Sequence, residues 1–238
     1  MSDIAHCIDH TLVRPDATQA QIAHLCQEAC ERGFAAVAVN EVHAQLASEL
    51  VHGCGVAVVV AVGFPLGATS TRVKSYEAQR AIEAGANELD VVINIGALKG
   101  AQHDLVAQDI AAVIRICHDA GTLCKAILEC GLLDEDETVT ACQLAQAAGA
   151  DFVKTSTGYG PRGATTHDVA LMRKTVGRAM GVKAAGGIRT YQEAVALLSA
   201  GANRLGISAA SSLQILLEEA TRATGQASNG IELGEWAR

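Results

Sequence analysis

Two hydrophobic patterns alternate along the chain. Short, nearly continuous apolar runs have the look of strands covered on both faces. Between them lie longer stretches in which apolar residues recur every three or four positions, as on a helix with one buried stripe. The junction from the second pattern to the first repeats: a helical stretch ends at Gly and an apolar run follows. It occurs at Cys30-Glu31-Arg32-Gly33 before 34–39, at Glu83-Ala84-Gly85-Ala86 before 88–93, and at Asp119-Ala120-Gly121 before 124–128. Ala148-Gly149-Ala150 precedes 151–154, and Ala200-Gly201-Ala202 precedes 204–207. Weaker copies are Gly53-Cys54-Gly55 before 56–62 and Gly181 before 182–185. Glycine at a helix end adopts the left-handed conformation that caps the last carbonyls.

These seven turns, with an opening strand at 7–11, predict eight strands. The intervening stretches read as helices. Residues 18–32 place Ile22, Leu25, Cys26 and Ala29 on one face, with Asp16 or Thr18 placed to cap it. The stretch 134–147 begins with an acidic turn suited to the helix dipole. In 190–200, Thr190 and Glu193 have capping-box spacing. Strands alternating with helices imply a parallel sheet. Eight such units in this length fit an α/β fold closed as a single (β/α)8 TIM barrel. A doubly wound open sheet is the alternative, but no Gly-x-Gly-x-x-Gly follows a strand. The barrel domain is expected over residues 1–224, with a polar, Gly-bearing tail at 225–238. Aromatics are only 3% of the residues, so the core must be built from small and β-branched side chains.

Charge and cysteine usage narrow the function classes. The formal net charge is −8, and no segment concentrates Lys and Arg, which argues against nucleic acid as a partner. A small anionic ligand is still admissible, because local donors rather than net charge hold a phosphate. The longest apolar run, 56–62, has the length of a strand and not of a membrane span. The first residues include Asp3 and no basic-then-apolar leader. The eight cysteines form no Cys-x-x-Cys pair, and several lie inside apolar segments. Buried, reduced thiols in a cytoplasmic protein are the expectation, with zinc or disulfides the minority case. His6 and His10, four apart on the expected first strand, would share a face at unequal depth. No metal site is expected. No Gly-x-Ser-x-Gly elbow supports serine hydrolysis.

In a barrel, chemistry gathers where strands end. Lys154 ends the apolar run of Asp151-Phe152-Val153-Lys154. Burial would lower its pKa and free an amine to attack a carbonyl, unless the side chain merely snorkels to water. Lys183 ends the next strand in order and would neighbour Lys154 if both point inward. Asp90 lies inside the run Glu88-Leu89-Asp90-Val91-Val92. A carboxylate there needs a cationic partner, as a proton carrier or as a structural ion pair. Gly186-Gly187 and Gly206-Ile207-Ser208 follow the seventh and eighth strands, where barrels often hold phosphate, although ordinary turns also use such glycines. The loop Gly63-Phe64-Pro65-Leu66-Gly67 would lie over the mouth.

Taken in order, Asp9-His10-Thr11-Leu12, Val62-Gly63-Phe64-Pro65-Leu66-Gly67, Glu88-Leu89-Asp90-Val91-Val92, Val153-Lys154-Thr155-Ser156-Thr157-Gly158 and Lys183-Ala184-Ala185-Gly186-Gly187-Ile188-Arg189 resemble the deoxyribose-phosphate aldolase family. The resemblance spans residues 5 to 220, in round numbers. It implies a class I aldolase, without metal or organic cofactor, that reversibly cleaves 2-deoxy-D-ribose 5-phosphate to acetaldehyde and D-glyceraldehyde 3-phosphate. Lys154 would form the Schiff base, Lys183 would perturb it, and Asp90 would join the proton relay. Asp9, Thr11 and Thr157 would lie near the substrate chain. Gly158, Gly186, Gly187, Gly206 and Ser208 would contribute to phosphate binding. The implied partners are the sugar phosphate and a second copy of the chain, as a homodimer. Another Schiff-base sugar-phosphate aldolase, a transaldolase-like barrel and a non-catalytic sugar-phosphate-binding barrel are the alternatives. The sequence departs from some members at three places. Tyr159 stands where they carry a lysine, with Arg162 as a candidate source of that charge. Ala209 stands where they carry a second serine, and Glu235-Trp236-Ala237-Arg238 holds no terminal tyrosine.

Overall fold

The structure, a computed structural model, describes residues 4–224. The tail expected at 225–238, with its missing tyrosine, lies outside the described residues. Eight strands run parallel: β1 (Ile8–Leu12), β2 (Ala36–Val39), β3 (Ala57–Val62), β4 (Glu88–Val92), β5 (Leu123–Ile127), β6 (Phe152–Lys154), β7 (Gly181–Ala185) and β8 (Arg204–Ser208). Each pairs with the next, and β8 pairs with β1, so the sheet closes into the expected barrel. Outside it pack α1 (Gln19–Arg32), α2 (Ala44–Leu50), α3 (Thr71–Glu83), α4 (Ile95–Lys99), α5 (His103–Asp119), α6 (Glu135–Ala147), α7 (Thr166–Val176), α8 (Tyr191–Ser199) and α9 (Ala209–Thr224). Among the described residues, no helix is long and apolar enough to cross a membrane.

The two faces of the sheet bury different chemistry. Outward residues such as Val37, Val58, Val60, Leu89, Val91, Val153, Val182 and Leu205 join the helices in one continuous apolar core. Inward, Ala36, Ala38 and Val59 form a small apolar cluster, with Ala57 packed against it. The inward positions of β1, β4, β5, β6, β7 and β8 carry charged residues instead, taken up below. Burial on both faces explains why the strands read as near-continuous apolar runs.

Helix starts follow the sequence closely. Thr18, not Asp16, caps α1, and its capping box is completed by Gln21. Asp134 with Glu137 and Thr190 with Glu193 cap α6 and α8 in the same way. Gly33, the αL cap of α1, has φ 69°.

Three expectations need correction. The helix before β7 ends at Gly177 (φ 70°), not at Gly181. Gly181 is already in the strand, where a Cβ would overlap the Phe152 ring on β6. His6 lies in a 3-10 turn, Ala5–Cys7, ahead of β1, so it shares no strand face with His10. His10 points outward, stacks on Phe34 at 4.5 Å between ring centroids and meets Glu28 Oε2 at 2.9 Å. Burial lowers its pKa. Finally, not all thiols are reduced. Cys30 and Cys54 form a disulfide between the last turn of α1 and the turn before β3, and the other six cysteines are free.

Candidate active site

Strand register assembles the site. Lys154 stands opposite Lys183, Lys183 opposite Arg204, and Asp90 opposite Lys125. All lie on inward positions: Lys154 ends β6, Asp90, Lys125 and Lys183 stand mid-strand, and Arg204 opens β8, so Lys183 does not end its strand as the sequence suggested. Asp90, on β4, is the hub. Its Oδ2 accepts from Lys154 Nζ at 2.8 Å and from Lys183 Nζ at 2.7 Å, and its Oδ1 accepts from Lys125 Nζ at 2.9 Å. Lys125 also meets Glu88 Oε2 at 2.5 Å. Arg204 Nε donates to Asp9 Oδ1 at 2.8 Å, and its Nη1 lies 3.2 Å from Glu88 Oε1. Lys183 closes the network by pairing with Asp9.

The expected pairing of Asp90 with a lysine thus occurs three times over. Burial alone would raise the Asp90 pKa, but the three ammonium groups hold it well below the usual carboxylate range. Lys154 moves the other way. Burial drives its pKa down to about 8, opposed by Asp90 and reinforced by Lys183. Desolvation is the larger cause, and the like-charged neighbour adds to it. Lys125 and Arg204 lie above their ordinary values, because their carboxylates outweigh their burial. Burial thus brings Lys154 towards its amine form.

Lys154 opens on a cavity of about 340 Å³ at the barrel mouth. Thr11, Thr157, Gly158, Gly186, Gly187, Gly206 and Ser208 line it. A recess of about 20 Å³ joins Lys154, Asp90 and Thr157 to apolar Val59 and Ala61, enough for roughly one water molecule. Gly158, Gly186 and Gly187 have φ of 89°, 85° and 76°, conformations that side chains rarely adopt. At Gly206 a Cβ would stand 3.2 Å from Lys183 Cε, so its bareness makes room for that lysine. Ser208 Oγ donates to Ser211 Oγ at 3.0 Å in the first turn of α9, which starts directly at the cavity rim.

Asp9 and Lys183 are not among the residues lining the cavity. They lie fully buried beside it and hold one another. Arg162 is not at the cavity either. Its guanidinium forks onto Asp168 and donates to the Cys130 carbonyl at 3.0 Å. The cationic side chains at the mouth are instead Arg14 and Arg189. Tyr159 lines the cavity, donates from its hydroxyl to the Val13 carbonyl at 3.1 Å and sets its ring edge-on to Phe64. The loop after β3 therefore does reach the mouth.

Sequence reasoning passed over Glu88, Lys125, Arg204 and Glu129. Period-two alternation from Asp90 points to Glu88 on the same face, and Lys125 interrupts an apolar strand just as Asp90 does. Glu129 follows an apolar strand, the position class that singled out Lys154. Among the described residues, no group of three or more His, Cys, Asp or Glu is arranged to hold a metal ion.

Comparison with known proteins shows which family and fold the chain shares. A family model described as DeoC/LacD family aldolase matches residues 4–218. A deoxyribose-phosphate aldolase of Thermococcus gammatolerans is 55% identical over 208 residues, covering 87% of this chain and 92% of that one. Among solved structures, an aldolase designated QR15 aligns with TM-score 0.87 and 36% identity over 94% of this chain and 99% of its own. A tetrameric deoxyribose phosphate aldolase from Aeropyrum pernix aligns with TM-score 0.84 and 35% identity, over 90% and 89% of the two chains.

Proposed function

The chain belongs to the DeoC/LacD family of aldolases, and from that premise we propose that it cleaves 2-deoxy-D-ribose 5-phosphate reversibly to acetaldehyde and D-glyceraldehyde 3-phosphate through an imine on Lys154. The observation that carries this reading is the Lys154 amine, depressed to about 8 and set on the cavity wall against Asp90 and Lys183. An amine of that kind is a nucleophile at neutral pH.

Neutral Lys154 adds to the C1 aldehyde of the open-chain sugar, and water leaves to give an iminium. The C2–C3 bond then breaks. Its electron pair moves into the C1–C2 bond and neutralises the iminium nitrogen, leaving an enamine. The C3 hydroxyl gives up its proton and becomes the aldehyde of glyceraldehyde phosphate. Protonation at C2 and addition of one water then release acetaldehyde and restore the amine. Asp90 and Lys183, hydrogen-bonded to one another and adjoining Lys154, serve the proton transfers, and the small recess beside them accommodates a water. Asp9 acts at one remove by fixing Lys183 and Arg204.

The far end of the cavity suits the phosphate. Gly158, Gly186 and Gly187 bring bare backbone to the surface, Ser208 and the start of α9 supply donors, and Arg189 supplies charge. Thr11 lines both the cavity and the recess. Holding the phosphate turns remote binding energy into alignment at C2 and C3. Self-association, with a homodimer as its smallest form, is part of the proposal. Exposed Val42, Leu66, Val73 and Tyr76 and the tetramer of the Aeropyrum relative support it. Sedimentation showing only monomer at high concentration would remove it.

The decisive test is borohydride reduction in the presence of acetaldehyde. An ethyl adduct on Lys154 is expected by peptide mass spectrometry, with none in Lys154→Leu and cleavage lost alongside. Near-native turnover in that variant would end the proposal.

A further inference from the structure

Glu129 is a buried carboxylate that the mechanism above does not use. It sits two residues beyond β5 with φ 58° and ψ 58°, left-handed and not glycine. That backbone is disfavoured for a residue with a side chain and persists only where the surroundings enforce it. Its side chain is 2% exposed. Oε2 accepts two hydrogen bonds from one residue: the Thr157 N–H at 3.1 Å and the Thr157 hydroxyl. Oε1 is buried and has no hydrogen-bond partner among the described residues. An arrangement that leaves a carboxylate oxygen unsatisfied is poor for stability, which points to another reason for the residue. Gly160 packs so closely that a Cβ would overlap the carboxylate, so the loop after β6 is moulded around it.

The consequence falls on Thr157. A hydroxyl has one proton and two acceptor lone pairs. Here the proton is committed to Glu129, and the Tyr159 N–H takes one lone pair at 3.0 Å. What Thr157 has left is one acceptor position. Thr157 lines both the main cavity, with Lys154, and the recess that holds Asp90. An acceptor-only hydroxyl matches a substrate group that donates, namely a sugar hydroxyl, and not a carbonyl or a phosphate oxygen. In the proposed substrate those hydroxyls, at C3 and C4, belong to the three-carbon half. The two-carbon half bound to Lys154 carries none.

We infer that Glu129 is a positioning residue: it locks the Thr157 hydroxyl as an acceptor for a hydroxyl of the three-carbon half of the substrate. The inference rests on the Lys154 imine reading, and the two fail differently. Acetaldehyde lacks the hydroxyls, so its capture by Lys154 reports the imine alone. Cleavage of deoxyribose phosphate reports both.

The experiment compares Glu129→Ala, Glu129→Gln and Thr157→Val with the parent enzyme, each checked for folding by its thermal midpoint. The expected result is borohydride capture of acetaldehyde within about twofold of the parent in both Glu129 variants. Meanwhile kcat/KM for cleavage falls by about ten- to a hundredfold in Glu129→Ala and Thr157→Val, the range for a lost charge-assisted hydrogen bond. Glu129→Gln keeps an acceptor oxygen and should fall between. The double variant should be no worse than Thr157→Val alone, since both changes remove one interaction. Capture that falls in step with cleavage, in the isosteric Gln variant as in Ala, would overturn the inference and make Glu129 a support of the Lys154 strand. Unchanged cleavage in Glu129→Gln and Glu129→Ala would also overturn it. If the parent enzyme itself captures no acetaldehyde, the imine reading is what fails.

Discussion

The reactivity of Lys154 comes down to a charge count. Four cations, Lys125, Lys154, Lys183 and Arg204, share three carboxylates, Asp9, Glu88 and Asp90. With every group ionised the cluster holds one uncompensated positive charge in a region of low polarity. The cheapest remedy is loss of a proton from the cation with least support. Lys125, Lys183 and Arg204 each touch two carboxylates, whereas Lys154 touches only Asp90, which it shares with the other two lysines. Lys154 is therefore the group that yields, and it is also the one at the cavity. A pH profile follows. Below about 8 the side chain is an ammonium and cannot attack, so capture of acetaldehyde should rise with pH through a midpoint near 8. In Asp90→Asn the carboxylate that favours the ammonium is gone, so the midpoint should move down and capture at acidic pH should speed up relative to its own plateau. Borohydride trapping rates across pH measure both. A midpoint that stays fixed or climbs in Asp90→Asn would show that another group controls the amine.

At the scale of elements, the chain shows its order plainly and its register poorly. Gly33, Gly85, Gly121, Gly149 and Gly201 all have positive φ, as a helix-to-strand turn requires, and each could be found because few other residues tolerate that backbone. The same rule misplaced one turn. Gly177 and Gly181 are both glycine, but only Gly177 turns the chain, while Gly181 clears space for Phe152. That distinction needs a neighbour from β6, which no local pattern supplies. The site was legible where a charged residue interrupts or closes an apolar run, as with Asp90, Lys183 and Lys154. What local reading missed is what closure of the sheet creates. Asp90 on β4 meets Lys154 on β6 and Lys183 on β7 across the barrel interior, and Arg204 on β8 reaches Glu88 on β4. Only curvature brings strands that far apart in order within hydrogen-bonding distance. Arg162 shows the converse. Its place near the phosphate end suggested an anion ligand, but Asp168, at the start of α7, claims its guanidinium first. Glu129 was hidden for a further reason: its orientation depends on a backbone conformation that its residue type does not announce.

Across the whole molecule, chemistry and reinforcement occupy opposite ends. The cavity opens where strands finish, at the rim built from the loops that follow them, and the charged cluster fills the barrel interior beside it. The Cys30–Cys54 disulfide lies at the other rim, where α1 runs out and β3 begins, so it clamps the entry to β2 between two outer elements. Nothing in the spacing of those cysteines singles them out; only the return of α2 brings the second to the first. The bridge spans 24 residues of sequence. Closing a loop of that size restricts the unfolded chain and is worth about 3 kcal/mol on chain-entropy grounds. Reduction should therefore raise the thiol count from six to eight and lower the unfolding free energy by about that amount. It should leave kcat, KM and the pH midpoint unchanged at temperatures well below the transition, because no catalytic strand end touches the bridge. Denaturant titration with and without dithiothreitol, alongside a turnover assay and a thiol count, decides the matter. If turnover falls with the thiols while the circular dichroism signal stays intact, the two rims are coupled, and separation of stability from chemistry along the barrel axis is not how this molecule is built.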